Sequence, residues 1–199
     1  MKCQLMVIAG IAGCGSAQAE IVDIDFNELS LGIVLTDQYE DQGVVFGLVG
    51  NAGGLLGPMT VEFPDIDFSP AGGIMLAPTD DNTTNDNWSD IELTFADGGV
   101  DWFSMLALDS DEPVSAFAYR GNQLIDSITF SGGGNHQVWD LQLGSVGGPM
   151  FDRVVIDLVT TGNVGPEVYD NLSFNRIPAP GALAMVPIGL CVLGRRKRN

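Results

Sequence analysis

Four oxygen-bearing side chains near the two ends of the acidic span, Asp25, Asn27, Glu28 and Asp170, carry the chemistry most worth weighing in this sequence. Calcium takes about six to eight hard oxygens from carboxylates, amides and backbone carbonyls, and these residue types supply them. The plainer reading keeps Glu28 solvated and Asp170-Asn171 in a turn. A denser run, Asp80-Asp81-Asn82-Thr83-Thr84-Asn85-Asp86-Asn87-Trp88-Ser89-Asp90, lacks the glycine and terminal glutamate of an EF-hand loop. It reads more readily as a solvated loop than as a cation-binding one. Trp88, Trp102 and Trp139 each offer a ring on which the apolar side of a sugar could stack. A lone tryptophan is as readily part of the core, and both readings stay open here.

Catalytic readings fare poorly. His136 is the single histidine, so a histidine-rich metal site is excluded and any Ser-His-Asp arrangement would hang on it alone. It follows Gly132-Gly133-Gly134-Asn135, a turn-like run, and no Gly-x-Ser-x-Gly elbow occurs. The three cysteines, Cys3, Cys14 and Cys191, all lie near the ends, so residues 20–176 have neither a thiol nucleophile nor a disulfide framework. Paired carboxylates could serve a glycosidase, but among 26 acids some pair always looks suitable.

The charge is uneven. All the acids fall between Glu20 and Asp170, and the only basic residues within 20–176 are Arg120, Arg153 and Arg176, so that stretch carries −23. Such a surface repels phosphate backbones and anionic headgroups, which excludes nucleic acid as a partner. Divalent cations or cation-bridged anionic polysaccharide suit it better. Simple solubility explains the acidity as well.

The elements that must position these residues are strands. Between Glu20 and Arg176 no helical period emerges; short β-branched and apolar runs alternate with Gly, Asn, Asp and Pro. The runs are 21–26, 43–49, 59–63, 73–77, 91–95, 100–108, 114–119, 124–130, 138–143, 153–159 and 168–174. Eleven short strands predict an all-β, two-sheet sandwich. Asp97-Gly98-Gly99, Arg120-Gly121-Asn122 and Ser131-Gly132-Gly133-Gly134 read as hairpin connections.

The two ends are addresses. Residues 1–19 read as a signal peptide: Lys2, an apolar stretch over 5–12, and Ala17-Gln18-Ala19 with small residues at −3 and −1. Cleavage at Ala19 would leave Glu20 first. Ile11-Ala12-Gly13-Cys14 resembles a lipobox, whose use would instead lipidate Cys14. At the other end, residues 177–199 run from a Pro-x-Pro element through an uncharged stretch, 182–194, to Arg195-Arg196-Lys197-Arg198. Thirteen residues make a helix of only about 20 Å, short of the roughly 30 Å hydrocarbon core. The basic cluster would stay cytoplasmic and the sandwich outside.

This tail resembles a PEP-CTERM sorting signal. Pro178-Ala179-Pro180 stands where the family name has Pro-Glu-Pro, and Gly181-Ala182-Leu183-Ala184 with the closing Gly194-Arg195-Arg196 is similar to the Pro-Ala-Pro variant. The resemblance implies recognition by an exosortase-type membrane enzyme, transient insertion in the inner membrane, and delivery to the surface or matrix of a Gram-negative-type bacterium that makes exopolysaccharide. The segment from Asp25 to Tyr39, then Gly43-Val44-Val45-Phe46, Glu112 to Tyr119, and Tyr169-Asp170-Asn171-Leu172-Ser173-Phe174 resembles a jelly-roll domain of exported bacterial proteins, similar to galactose-binding-like and carbohydrate-binding sandwiches. That implies neighbouring first and last strands, which would bring Glu28 towards Asp170, and a non-enzymatic module for extracellular polysaccharide with calcium at Asp25, Asn27, Glu28 and Asp170. The family pattern usually has an acid where Asn27 stands. The alternative is a secreted hydrolase acting on glycans.

Overall fold

The computed structural model of the chain describes residues 19–30, 33–49, 55–60, 74–79, 90–96, 98–108, 113–131, 137–158 and 168–177. The strands in order are β1 (Glu20–Ile24), β2 (Val44–Val49), β3 (Leu55–Thr60), β4 (Ile74–Thr79), β5 (Asp90–Phe95) and β6 (Val100–Leu108). β7 (Val114–Arg120), β8 (Gln123–Phe130), β9 (Val138–Asp140), β10 (Leu143–Gly144), β11 (Arg153–Leu158) and β12 (Val168–Arg176) follow. They form two antiparallel sheets. The larger runs β10-β6-β12-β4-β3, with β1 also on β12 and β9 also on β6; the smaller runs β2-β5-β11-β7-β8. Among the described residues no helix is long and apolar enough to cross a membrane. The uncharged tail at 182–194 and the leader to residue 18 lie outside those residues.

The expected sandwich is therefore present, and its first and last strands are indeed paired: Glu20 faces Arg176 and Ile24 faces Leu172. Three local expectations need correction. The run 138–143 divides into β9 and β10, because Leu141 turns inward to bond the Met105 carbonyl between them. The run at 59–63 belongs to a strand that occupies Leu55–Thr60, and residues 61–63 are outside those described. Only Arg120-Gly121-Asn122 joins paired strands, β7 and β8. Gly98-Gly99 joins β5 to β6, and 131–134 lies between β8 and β9; in both cases the flanking strands belong to different sheets. Glycine fixes what φ a connection can take, not which sheet the next strand enters.

Packing explains why these strands close on each other. Alternation in β5 buries Ile91, Leu93 and Phe95 against Phe103 and Met105 of β6 and Leu172 and Phe174 of β12. Phe95 is a hub, with ring centroids 5.1 Å from Phe174 and 6.3 Å from both Phe103 and Phe151. A second aromatic group, Phe26, Tyr39 and Phe46, meets edge-on at 5.7–6.1 Å and seals the end of the sandwich where β1 finishes. Buried Asp101 has both oxygens engaged, with Asn175 Nδ2 at 2.7 Å and the Gly147 amide at 2.6 Å. Those bonds compensate its desolvation.

Gly99 is held at φ +96, and a Cβ there would run into the Phe151 carbonyl oxygen. Gly99→Ala is expected to cost about 1–3 kcal/mol for the left-handed backbone alone. Differential scanning calorimetry would then record a Tm lower by roughly 2–12 °C. An unchanged Tm would show that the crossing between the sheets can rearrange freely.

Candidate functional site

Two places gather functional side chains. The first is a cleft where β1 stops and β4 takes over along the same edge of β12. β1 pairs with Leu172 to Arg176 and β4 with Tyr169, and between these the β12 ladder is bulged at Asp170–Ser173. Asn171 in the bulge has φ +49, and Phe26, just past β1, has φ +59. A buried aromatic in left-handed backbone is strained; the rings of Tyr39 and Phe46 around Phe26 hold it there. The resulting cleft, about 430 Å³, is lined by Asp23, Ile24, Asp25, Glu28, Gln42, Asn171, Leu172 and Ser173.

The cleft thus brings together Asp25 and Glu28. The Asn27 backbone N–H donates to Asp25 Oδ1 at 3.2 Å, and hydrogen bonds from the Asn27 side chain and backbone lower the Asp25 pKa below its ordinary value. Asp170 is buried, accepts the Asn171 amide at 2.8 Å, and is not among the lining residues, where Asn171 stands instead. Among the described residues no three His, Cys, Asp or Glu side chains gather closely enough to hold a metal by themselves. A cation here would need amide and backbone oxygens beside the two carboxylates. Next to the cleft the Tyr39 hydroxyl is buried without a well-formed hydrogen bond. Burial, and then the adjacent Glu28 carboxylate, push its pKa up.

The tryptophans separate. Trp88 and His136 lie outside the described residues. Trp139 pairs with inward-facing Ala107 and packs against the core, stacked on Phe130 at 5.1 Å and 27°. It is a closing side chain of the sandwich rather than an open platform. Trp102 is half-buried on the outward side of β6, opposite Gly144 and two residues from Ser104, whose hydroxyl donates to Asp140 at 2.6 Å.

The second place is the outer face of the smaller sheet, and sequence reading did not single it out. In β7 the alanines face in: Ala116 and Ala118 are fully buried, so Phe117 and Tyr119 face out, half-buried. This inverts the usual pattern, in which the large apolar residue takes the core position. Ladder register sets their neighbours. Tyr119 lies beside Arg153 on β11 and Leu124 on β8, and Arg153 lies beside Thr94 on β5. Phe117 lies beside Val155 and Ser127, and Val155 beside Glu92, which faces Gly47 on β2. The two rings project from one side of one strand, about 7 Å apart.

Arg153 links the rows. Its Nη1 donates to Glu92 Oε2 at 3.1 Å, and its guanidinium carbon lies 4.8 Å from the Tyr119 ring centroid. Both partners keep about a third of their side-chain surface in water (33% and 28%). The pair is therefore positioned by ring and ladder yet remains reachable from solvent. Chemically this is a flat platform of ring faces bordered by a fixed donor and a fixed acceptor. A surface of that kind suits ligands that are apolar on one side and rich in hydroxyls at the edge.

No family model and no curated protein matches the chain. Among solved structures it is similar to a mutant of the family 29 carbohydrate binding module CBM29-2, at 14% identity over 88% of this chain and 96% of that one, with a TM-score of 0.44. A second family 29 module mutant aligns at 14% identity over 83% and 96%, TM-score 0.45. The family 11 carbohydrate-binding module from Clostridium thermocellum, in complex with a mixed-linked tetrasaccharide, aligns at 14% identity over 82% and 98%, TM-score 0.40. Likenesses this loose say nothing about the ligand of this chain.

Proposed function

We propose that this protein is an exported, non-enzymatic module that binds extracellular polysaccharide through the outer face of its smaller sheet. The observation that carries this is the outward aromatic pair Phe117 and Tyr119, set beside the Arg153–Glu92 pair on the side away from the core. Delivery rests on the sequence of the two ends. The leader with Ala17 and Ala19 supports export. The sequence of the tail, Pro178-Ala179-Pro180 followed by an apolar stretch and Arg195-Arg196, supports capture by an exosortase-type enzyme at the inner membrane, and so placement at the cell surface or in the matrix. Pull-down of the purified protein on insoluble and cross-linked polysaccharides tests the binding. Absence of retention on every polysaccharide, with and without chelator, removes this function.

Calcium belongs to the same proposal, at the cleft of Asp25 and Glu28, with Asn27 and Asn171 as amide oxygens and Asp170 in support. What favours it is the meeting of oxygen-rich segments from opposite ends of the chain. Ligand that binds only the native state raises stability by RT ln(1 + [L]/Kd). With calcium at about a hundred times Kd, Tm should therefore rise by roughly 5–10 °C over the chelated sample. Glu28→Gln should erase most of that difference. Equal melting curves in calcium and chelator would remove the cation from this cleft.

A further inference from the structure

The charge of the aromatic face carries its ligand class a step further. We propose that this face selects uncharged polysaccharide and rejects polyuronates and other acidic chains; the inference rests on the reading that the face binds glycan at all. The outward positions of its three inner strands hold Asp90, Glu92 and Asp157 against one cation, Arg153, a net of −2. That cation is already committed. Glu92 takes one end of its guanidinium and the Tyr119 ring covers its face. A carboxylate-bearing glycan would find no unpaired cation in these rows, and would meet three carboxylates on a chain of net charge −18. Screening at physiological salt acts over about 8 Å, so repulsion at contact distance survives it.

An uncharged glycan meets no such obstacle. Its apolar side can lie on Phe117, Tyr119 and Val155. Its hydroxyls can donate to the Glu92 and Asp157 carboxylates, and such charge-assisted bonds are the stronger kind. Approach to Glu92 is open because its partner across the ladder is Gly47, and nothing lies within 4 Å of where a Cβ would stand. The donor and acceptor are already fixed against each other, so little side-chain freedom is lost on binding.

The test is affinity electrophoresis of the purified protein through gels containing neutral polysaccharides (mannan, xylan, mixed-linked and unbranched β-glucans) or polyuronates (alginate, polygalacturonate). Each is run with calcium and with chelator. We expect retardation by at least one neutral chain and by no polyuronate, and loss of at least about tenfold in affinity in Phe117→Ala. Should Phe117→Ala fail to fold, Gly47→Gln, placed in open space on the same face, obstructs the ligand without touching the core. Retardation by a polyuronate that either variant abolishes overturns the charge class and leaves the face as a glycan site. No retardation by any chain overturns the reading beneath it. Retardation by a neutral chain that both folded variants retain overturns the inference too, because the ligand then lies elsewhere.

Discussion

The double variant Phe117→Ala/Tyr119→Ala is expected to lose polysaccharide binding while keeping its fold. Residues at the centre of a binding surface each contribute about 1–2 kcal/mol when they act as anchors, so the pair together amounts to roughly 30- to 1000-fold in affinity. Folding should be affected far less. Both rings stand outside the core, and Ala116 and Ala118 between and beside them are the residues that face inward. The structural losses are strand propensity, up to about 1 kcal/mol per site, and the contact of Arg153 with Tyr119, about 0.5–1 kcal/mol. Isothermal titration against the retained polysaccharide, paired with a thermal melt, separates the two effects. Trp102→Ala provides the contrast, since its ring lies on the opposite sheet. If Trp102→Ala loses binding and the double variant keeps it, the ligand belongs on the larger sheet.

The largest effect on stability is expected at Phe95. Its ring is buried where four phenylalanines meet, and it comes from the smaller sheet while Phe103 and Phe174 come from the larger one. Phe95→Ala removes the contact between sheets at that point and leaves a cavity that the rigid surroundings fill only partly. Such truncations cost about 3–5 kcal/mol, which lowers Tm by roughly 6–20 °C in a chain of this size. Phe95→Leu keeps most of the volume and should cost much less. Calorimetry on both variants decides. Equal losses for Ala and Leu would mean that ring geometry rather than filled volume holds the sheets together.

How far the sequence alone reaches can be judged strand by strand. Asp90 to Phe95 alternates polar and apolar with one face wet, and the structure buries Ile91, Leu93 and Phe95 as that pattern requires. Pairing of the first and last strands was also foreseeable, but the residue it brings to the cleft beside Asp25 and Glu28 is Asn171, while Asp170 is buried outside the lining. The sheet to which each strand belongs was not foreseeable. Gly98-Gly99 has the same local chemistry as a hairpin, but its neighbours are claimed by different sheets through contacts far away in sequence. The aromatic face was missed for a related reason. In Val114-Ser115-Ala116-Phe117-Ala118-Tyr119 the two faces differ little in polarity, and period alone cannot say which set faces inward. Default hydrophobicity would bury the rings. The telling signal was alanine at every second position, small enough to fit where β11 sets Val154 and Ile156 alongside.

If the chain is exported as proposed, the pairing of β1 with β12 bears on the order of events as it crosses. Among the described residues the last strand is the only sheet partner of the first, and the contact between Ser173 and Asp23 spans 150 residues of chain. Loops of that length close slowly. On a route that threads the amino terminus out first, β1 reaches the outside with nothing to pair with until Arg176 has followed. By then only Ile177 separates the finished strand from Pro178. On the proposed route, the pairing that completes the sandwich would thus form just before the proposed sorting motif arrives. On that route a chain caught halfway would leave β1 unpaired, and a chain that presents the proposed motif would already have brought across β1 to β12.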